Sequence, residues 1–382
     1  MRTFIAHLLI FLLPLVILFT PAFIVLFISG EFTSLENIGT LSRSTDRIVV
    51  GPAYSYFRSE YQLNEVSVRR PAVIALGSSR VGEFHSEFFK NPNVFYNTSG
   101  SIGSLSGFND FIKHLSQPPQ IIIAGIDEYF FNPENAKNNT VKRPDPFIVH
   151  TKIYDPFFES FLRNGGWWKV YADYFSGKFI LSDIFTCPQR DVRTIGLLAC
   201  INNSGFTNDG SNYDNIVLYP SEISQGIDAV AASITDTNGD DYGSNISTDA
   251  IAELRIFLTS AKEKGINVIG FLPPISHKEF QALKQHPDAV YSYAFKNLYS
   301  TLAAVFKEYG FDLYDFSDIS SWGSSDDEMA ESKHGSGKMY LRLFIQMAEN
   351  NESLAPLVDI PNLKEKLANA TSTYFISEIA GY

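Results

Sequence analysis

The residues with the clearest chemical potential are a serine in the first quarter of the chain and a histidine near its end. Ser79 follows the apolar run 73–76 in the sequence Val-Ile-Ala-Leu-Gly-Ser-Ser-Arg, and His334 follows Glu331 by three residues. A serine hydroxyl is a weak nucleophile until a neighbouring base removes its proton, and an acid can hold that base in the required tautomer. The pattern therefore predicts Ser79 as nucleophile, His334 as general base and Glu331 as the orienting acid.

These residues also have structural interpretations. Serine is a common residue at the start of a helix, so Ser79 could serve only as a cap, and neighbouring Ser78 is an alternative nucleophile. Glu331 lies in an acidic stretch, in which Asp326, Asp327 or water could orient the histidine instead. The chemical interpretation requires the serine and the histidine to meet in space.

The elements that must bring them together are buried strands that alternate with helices. Continuous apolar runs bounded by Gly or Pro predict strands of a parallel sheet, and apolar residues at helical spacing predict the helices between them. The predicted strands cover residues 72–76, 94–96, 120–124, 267–272 and 312–315. The predicted helices include one with Val81, Phe84, Phe88 and Phe89 on one face, and others over residues 104–115, 248–264, 287–309 and 337–349.

This alternation predicts an α/β fold with a doubly wound, flavodoxin-like sheet of about five strands in the order 2-1-3-4-5. In such sheets the sites lie beyond the carboxyl ends of the strands, where Ser79 is placed by the first strand. Residues from about 130 to 247 are rich in aromatics, Asn, Asp and Gly and show weak periodicity. We interpret them as a long insertion that covers one end of the sheet.

The N-terminus contains residues 8–28, which carry no charge and are long enough to cross a membrane. Large residues, Phe27 and Ile28, precede any cut at 29 or 30, so an uncleaved anchor is favoured over a cleaved signal peptide. Arg2 precedes the apolar run and acidic residues follow it, which leaves the N-terminus in the cytoplasm. The sequence thus predicts a transmembrane helix over residues 1–30 and an exported domain over 31–382, on the periplasmic side of the inner membrane.

Composition excludes some partners. The net charge is −12 with no Lys/Arg cluster, so a nucleic-acid surface is not expected. The two cysteines, Cys187 and Cys200, could form a disulfide in an oxidising compartment or remain free thiols. His, Asp and Glu residues show no metal-ligand spacing, and we expect no metal or other cofactor.

Three further residue groups have simple interpretations. Arg80 is expected to form a surface salt bridge, with contact to an anionic ligand as the alternative. His85 is expected at the surface. Trp167 and Trp168 are expected to pack within the insertion, with stacking on sugar rings as the alternative.

Taken together, these segments resemble the SGNH, or GDSL-type, esterase and lipase superfamily. The similarity consists of four short blocks in order, at residues 77–79, 97–103, 125–127 and 331–334. It implies that Ser79 is the nucleophile and that the N–H groups of Ser79 and Gly103, or else Gly100, bind the oxyanion. The chain departs from the family with Ser78 for Asp, Asp127 for Asn and Glu331 for Asp. Asp127 could donate to an oxyanion only when protonated, and capping of a strand end is its alternative role.

The Gly-Ser-Ser block and the N-terminal helix resemble two branches of that superfamily. One is the membrane-anchored D-alanylation protein, and the other is the set of SGNH-like proteins of alginate acetylation. The resemblance implies an esterase or O-acyltransferase acting on acyl esters of an envelope polysaccharide, with a membrane O-acyltransferase as a partner. The alternative is an inactive glycan-binding or scaffold subunit of an envelope assembly.

Overall fold

The computed structural model of the protein describes residues 2–44, 47–55, 57–133, 155–189, 192–214, 220–234, 245–285 and 297–370. Parts of the predicted insertion, and the first half of the helix predicted over 287–309, lie outside the described residues. The described strands are β1 (Ile48–Val50), β2 (Val73–Gly77), β3 (Phe95–Ser99), β4 (Ile121–Gly125), β5 (Arg193–Ile195), β6 (Ser204–Phe206), β7 (Asn212–Asp214), β8 (Asn267–Leu272) and β9 (Asp312–Asp315).

The described α-helices alternate with these strands over much of the chain. They are α1 (Arg2–Ile28), α2 (Leu35–Ser42), α3 (Arg58–Arg69), α4 (Leu105–His114), α5 (Gly166–Phe175), α6 (Leu181–Thr186), α7 (Leu197–Asn202), α8 (Pro220–Ser233), α9 (Thr248–Glu263), α10 (His277–Lys284), α11 (Tyr299–Tyr309), α12 (Gly337–Asn350) and α13 (Ile360–Asn369).

The chain divides into two compact units. Unit 1 comprises described residues of 1–61, 145–208 and 212–216, and unit 2 comprises those of 62–144, 209–211 and 217–382. The sequence predicted one domain after residue 30 with an insertion at about 130–247. The described central residues 155–208 instead share a unit with the N-terminal segment, while α8 belongs to unit 2.

Unit 2 contains a five-stranded sheet in the spatial order β3-β2-β4-β8-β9. Every neighbouring pair is parallel. Strands β2 and β4 are buried along their whole length, which explains their continuous apolar sequences. The predicted mixed α/β fold with a parallel sheet is therefore confirmed, and the carboxyl ends of β2, β4 and β8 lie side by side.

The connection from β2 to β3 differs from the sequence prediction. The predicted amphipathic helix is instead three 3₁₀ turns, at Ser79–Val81, Ser86–Phe88 and Pro92–Val94. The apolar residues assigned to that helix are nevertheless buried. The side-chain amide nitrogen of Asn97 donates to the backbone carbonyls of Val81 and Phe84 at 2.9 and 2.8 Å. These hydrogen bonds satisfy acceptors that a continuous helix would use.

Unit 1 contains a small mixed sheet in the order β5-β1-β6-β7. Next to it, a cluster of buried side chains joins the end of α1 to the central residues; it includes Ala22 and Leu26, both fully buried, and Cys200. Cys187 and Cys200 form a disulfide with their Cα atoms 5.5 Å apart, one of the two alternatives for these cysteines.

Helix α1 has two different parts. Residues 10–28 are apolar enough to cross a membrane, and most of the side chains in this stretch are exposed. Its last two turns, in contrast, bury Ala22, Val25 and Leu26 against unit 1. Just after it, the buried carboxylate of Glu31 accepts N–H donors from Tyr54 and Leu197 at 2.9 and 2.8 Å. The end of α1 is thus an integral part of the unit 1 core.

Candidate active site

The predicted nucleophile lies at the carboxyl end of β2. Gly77 ends the strand, and a Cβ atom there would lie 2.7 Å from a methyl group of Val81, so the tight turn requires glycine. Ser78 caps the following 3₁₀ turn, its hydroxyl accepting the Arg80 N–H at 3.2 Å. Ser78 is buried, whereas Ser79 is exposed. Of the two serines, Ser79 is the one that a substrate could reach.

The histidine meets this serine. Nε2 of His334 lies 2.8 Å from Oγ of Ser79, and Nδ1 of the same ring is hydrogen-bonded to a carboxylate oxygen of Glu331. Ser79, His334 and Glu331 are therefore joined by two hydrogen bonds that share the histidine ring. Nε2 can accept the serine proton when Nδ1 carries the hydrogen donated to Glu331.

Backbone contacts position the histidine loop. The N–H of Ala330 donates to the carbonyl of His334 at 2.7 Å, which closes a tight turn around Glu331. The N–H of Ser276 donates to the carbonyl of Ser332 at 2.8 Å and ties this turn to the start of α10. Helix α12 then begins after Ser336, whose side chain caps it.

Among the acids considered for orienting the histidine, Glu331 is the one that contacts its ring. Asp326 accepts the backbone N–H groups of His277 and Lys278, so it caps α10. Burial works to raise the pKa of Glu331, but the hydrogen bond and charge of His334 outweigh it and hold that pKa below its usual value. Glu331 is therefore ionised at neutral pH and can stabilise a protonated imidazole.

The two glycines considered for the oxyanion site differ in their hydrogen bonds. The N–H of Gly100 donates to the carbonyls of Gly77 and Ser78 at 3.1 and 3.0 Å, and Gly100 has a φ of +74°. The Gly100 N–H thus links the loop after β3 to the turn that carries Ser79. Within the described residues the N–H groups of Gly103 and Ser79 donate no hydrogen bond, which leaves them open to a ligand.

Asp127 does not lie free at the site. One carboxylate oxygen of Asp127 accepts a guanidinium N–H of Arg80 at 3.0 Å, and Glu128 accepts from the same nitrogen at 2.6 Å. Burial raises the pKa of Asp127, while the charge of Arg80 opposes the rise. One oxygen of Asp127 is thus engaged with a cation, and in this arrangement Asp127 positions Arg80.

Arg80 itself is buried, contrary to its predicted place at the surface. Its second guanidinium nitrogen donates to the carbonyls of Pro273 and Pro274 at 3.1 and 2.8 Å, and the Tyr340 hydroxyl donates to its backbone carbonyl. These contacts join the ends of β2, β4 and β8 directly behind Ser79. Sequence reasoning missed this cluster because its members are distant along the chain.

His85 was also expected at the surface, but it lies among carboxylates. Side-chain ligand atoms of His85, Glu87 and Asp209 lie within 4.8 Å of one another, and Glu83 is 3.6 Å from His85. The carboxylate of Asp209 already accepts the N–H of Ser86 at 2.7 Å. Burial disfavours the charged ring, but Glu83, Asp209 and Glu87 outweigh it and raise the pKa of His85 to about 9. The protonated ring thus places one positive charge among these carboxylates.

This raised pKa predicts a loss of stability at alkaline pH. A histidine with an unfolded pKa of about 6.5 that gains partners on folding contributes fully below that pH, and its contribution disappears as the pH rises through about 9. We expect the free energy of unfolding to fall by roughly 3 kcal/mol between these limits. Urea titrations at several pH values measure this fall. His85→Gln should reduce it, and an unchanged fall in the variant would contradict the assignment.

No family model matches the chain, and no curated protein or solved structure matches it either. The function therefore has to be argued from the geometry of the site and from the residues that form it.

Proposed function

We propose that this protein is a membrane-anchored, exported serine esterase or O-acyltransferase that works through an acyl-enzyme on Ser79. The observation that carries the proposal is the 2.8 Å contact between an exposed serine hydroxyl and a histidine whose other nitrogen is held by a carboxylate. A nucleophile, a general base and an acid that orients the base carry out nucleophilic acyl transfer on several unrelated folds. The position at a strand end of a parallel sheet, in the order β3-β2-β4-β8-β9, supports a flavodoxin-like, SGNH-type domain.

The reaction has two balanced halves. Oγ of Ser79 attacks the ester carbonyl as its proton passes to Nε2 of His334, and the tetrahedral oxyanion is held by the N–H groups of Ser79 and Gly103. The C–O bond to the leaving alcohol then breaks, and His334 returns the proton to that alcohol. Water or a glycan hydroxyl then attacks the acyl-serine as its proton passes to His334. The bond between the acyl carbon and Oγ breaks, His334 returns the proton to Oγ of Ser79, and the acid or the new ester is released.

We infer that the substrates are acyl esters of an envelope polysaccharide and that a membrane O-acyltransferase is a partner, on the resemblance to the SGNH branches described above. A substrate outside the cytoplasm agrees with the proposed anchoring of α1 in the inner membrane. Cleavage near residue 30 would remove Ala22 and Leu26 from the core of unit 1, so we propose that α1 is retained as an anchor in the inner membrane. Unit 2 would then face the periplasm.

A fluorophosphonate probe tests the proposal, because it reacts with activated serines. We expect covalent labelling of the full-length protein, with the label on the peptide that contains Ser79 by mass spectrometry. A protein that is folded but unlabelled would favour the alternative role as an inactive glycan-binding or scaffold subunit. One observation favours that alternative: the third family block carries Asp127, which is engaged with Arg80.

Replacing Glu331 by glutamine tests the orienting acid. Loss of the carboxylate should lower the turnover of a small ester such as p-nitrophenyl acetate at least about 10-fold, but less than the roughly 10⁴-fold loss caused by replacing the buried aspartate of chymotrypsin-like triads. The smaller effect follows from the half-exposed position of Glu331, where water can partly replace it.

Glu349→Gln serves as the matched control, because Glu349 is a solvent-accessible acid paired with Lys364 in a neighbouring helix. Equal turnover by Glu331→Gln and the control would show that Glu331 does not support His334.

A further inference from the structure

Unit 1 displays a concentration of exposed apolar side chains on its central residues. Outside α1, most of the large apolar side chains that the described residues expose lie between 157 and 185; the others are Val68, Ile256 and Tyr299. Phe175 is 81% exposed and Ile180 is 60% exposed. Single exposed apolar residues are common on soluble proteins, but such a concentration marks a surface that contacts something other than water.

The exposed surface of this segment is mainly apolar. On α5, Asp173 accepts the Tyr54 hydroxyl at 2.6 Å, and Lys169 lies 5.8 Å from the centre of the Tyr54 ring. These two charged side chains turn toward the body of unit 1, whereas Arg163, paired with Glu159, and Lys178, paired with Asp173, are exposed. Trp168, on the same helix as Asp173, is half exposed. A surface on which apolar side chains outnumber charged ones in this way fits apolar surroundings.

The segment also packs along the anchor helix. The Tyr171 hydroxyl donates to the backbone carbonyl of Leu18 at 2.5 Å, and the rings of Phe19 and Trp167 are 5.1 Å apart. Trp167 was predicted to pack within the insertion, and it packs against the N-terminal helix in unit 1. Leu18 precedes the end of α1 at Ile28 by ten residues, or about 15 Å of helix. A segment that contacts α1 at this level lies alongside its apolar part.

An apolar groove of about 340 Å³ lies beside these contacts, between part of α1 and the start of the segment. It is lined by one face of α1 from Leu15 to Phe23 and by Phe157 and Phe161. A flexible hydrocarbon chain can fill an irregular groove of this kind. Because the groove is continuous with the exposed face of α1, the same lipid that surrounds the helix would reach it.

We propose that residues 157–185 form a monotopic collar embedded in the outer leaflet around α1, with Phe175 and Ile180 in contact with lipid acyl chains. The proposal rests on the membrane anchoring of α1 that is part of the proposed function. The collar fixes unit 1 to the bilayer surface in addition to the anchor. Arg163 and Lys178 are exposed and ion-paired with Glu159 and Asp173, and in this proposal they lie at the level of the headgroups.

Single-cysteine labelling of the full-length protein in lipid nanodiscs tests the collar. The chain contains two cysteines, and they form a disulfide, so an added cysteine can be labelled selectively. Phe175→Cys and Ile180→Cys carry a bimane fluorophore, and nanodiscs contain lipids with a nitroxide quencher on the acyl chain. Ile17→Cys, on the exposed face of α1, is the lipid-facing reference, and Ile256→Cys, an exposed position on α9, is the water-facing reference.

We expect bimane at 175 and 180 to lose fluorescence to the acyl-chain quencher as strongly as bimane at 17, while bimane at 256 is quenched only by aqueous iodide. Iodide quenching at 175 and 180 that equals that at 256 would overturn the collar while leaving the anchor intact. Protection of 175 and 180 from both quenchers would also overturn it, because a protein partner or second copy would then cover the surface. If bimane at 17 is reached only by iodide, the anchoring and the collar fail together. Fluorophosphonate labelling of Ser79 in the same samples reports the enzymatic proposal separately.

Discussion

Alanine at position 79 is expected to lower ester turnover by about 10³-fold or more, because it removes the oxygen proposed to form the acyl-enzyme. Oγ of Ser79 is the exposed oxygen in contact with Nε2 of His334, and its removal leaves a base without a nucleophile. Turnover of p-nitrophenyl acetate and labelling by the fluorophosphonate probe should both be lost. Binding of an ester substrate should be largely retained, since the oxyanion donors belong to the backbone.

Ser78→Ala separates the two serines of the turn. Ser78 is buried and its hydroxyl caps the Arg80 N–H, so this variant should lose about 1 kcal/mol of stability yet still be labelled. Labelling that persists in Ser79→Ala and disappears in Ser78→Ala would identify Ser78 as the nucleophile. Labelling that persists in both variants would exclude the site altogether.

Replacing Arg80 by methionine is expected to cost about 3–5 kcal/mol of folding free energy, the largest effect on stability in the described part of the molecule. The substitution leaves the carboxylates of Asp127 and Glu128 buried without their cation, and it also removes the donors to two proline carbonyls. Burial alone works to raise the pKa of Glu128, but Arg80 and Lys333 hold it below its usual value. Denaturant unfolding of unit 2 measures the loss.

Two further variants make this result interpretable. Arg255→Met removes an arginine that forms an exposed ion pair with Glu308 and should change stability little, because solvent screens the pair. Adding Asp127→Asn and Glu128→Gln to Arg80→Met neutralises the stranded carboxylates and should restore part of the loss. If Arg80→Met unfolds no more easily than Arg255→Met, the buried cluster does not stabilise the strand ends.

Local sequence signals were enough to locate the strands of unit 2. Residues 73–76 and 121–124 are continuous apolar runs, and a strand buried on both faces needs such a run whatever its neighbours are. The glycine that ends β2 and the acid-x-x-histidine segment are also local patterns, so they could be identified before any contact was known. The proposal that α1 is retained as an anchor rests on the length of the apolar run and on the burial of Ala22 and Leu26.

Other features depended on partners far away in the chain. The segment after β2 has apolar residues at helical spacing, but Asn97 binds the carbonyls of Val81 and Phe84, so 3₁₀ turns form instead of a helix. Arg80, which was predicted at the surface, is buried with carboxylates from another loop, and His85 is mostly enclosed beside Asp209 from a distant segment.

What the sequence determined by itself was local: which residues form strands, which helix is apolar enough for a membrane, and which side chains have the right types for acyl transfer. Periodicity and residue type act over a few positions, so they carry that information without the fold. Three features became visible in the folded chain alone. Ser79 meets His334, and Arg80 is enclosed by Asp127 and Glu128. The described residues of 155–208 share a compact unit with the N-terminal segment. Each of these is a contact between segments distant in the chain, and its energy depends on burial that only the folded chain creates.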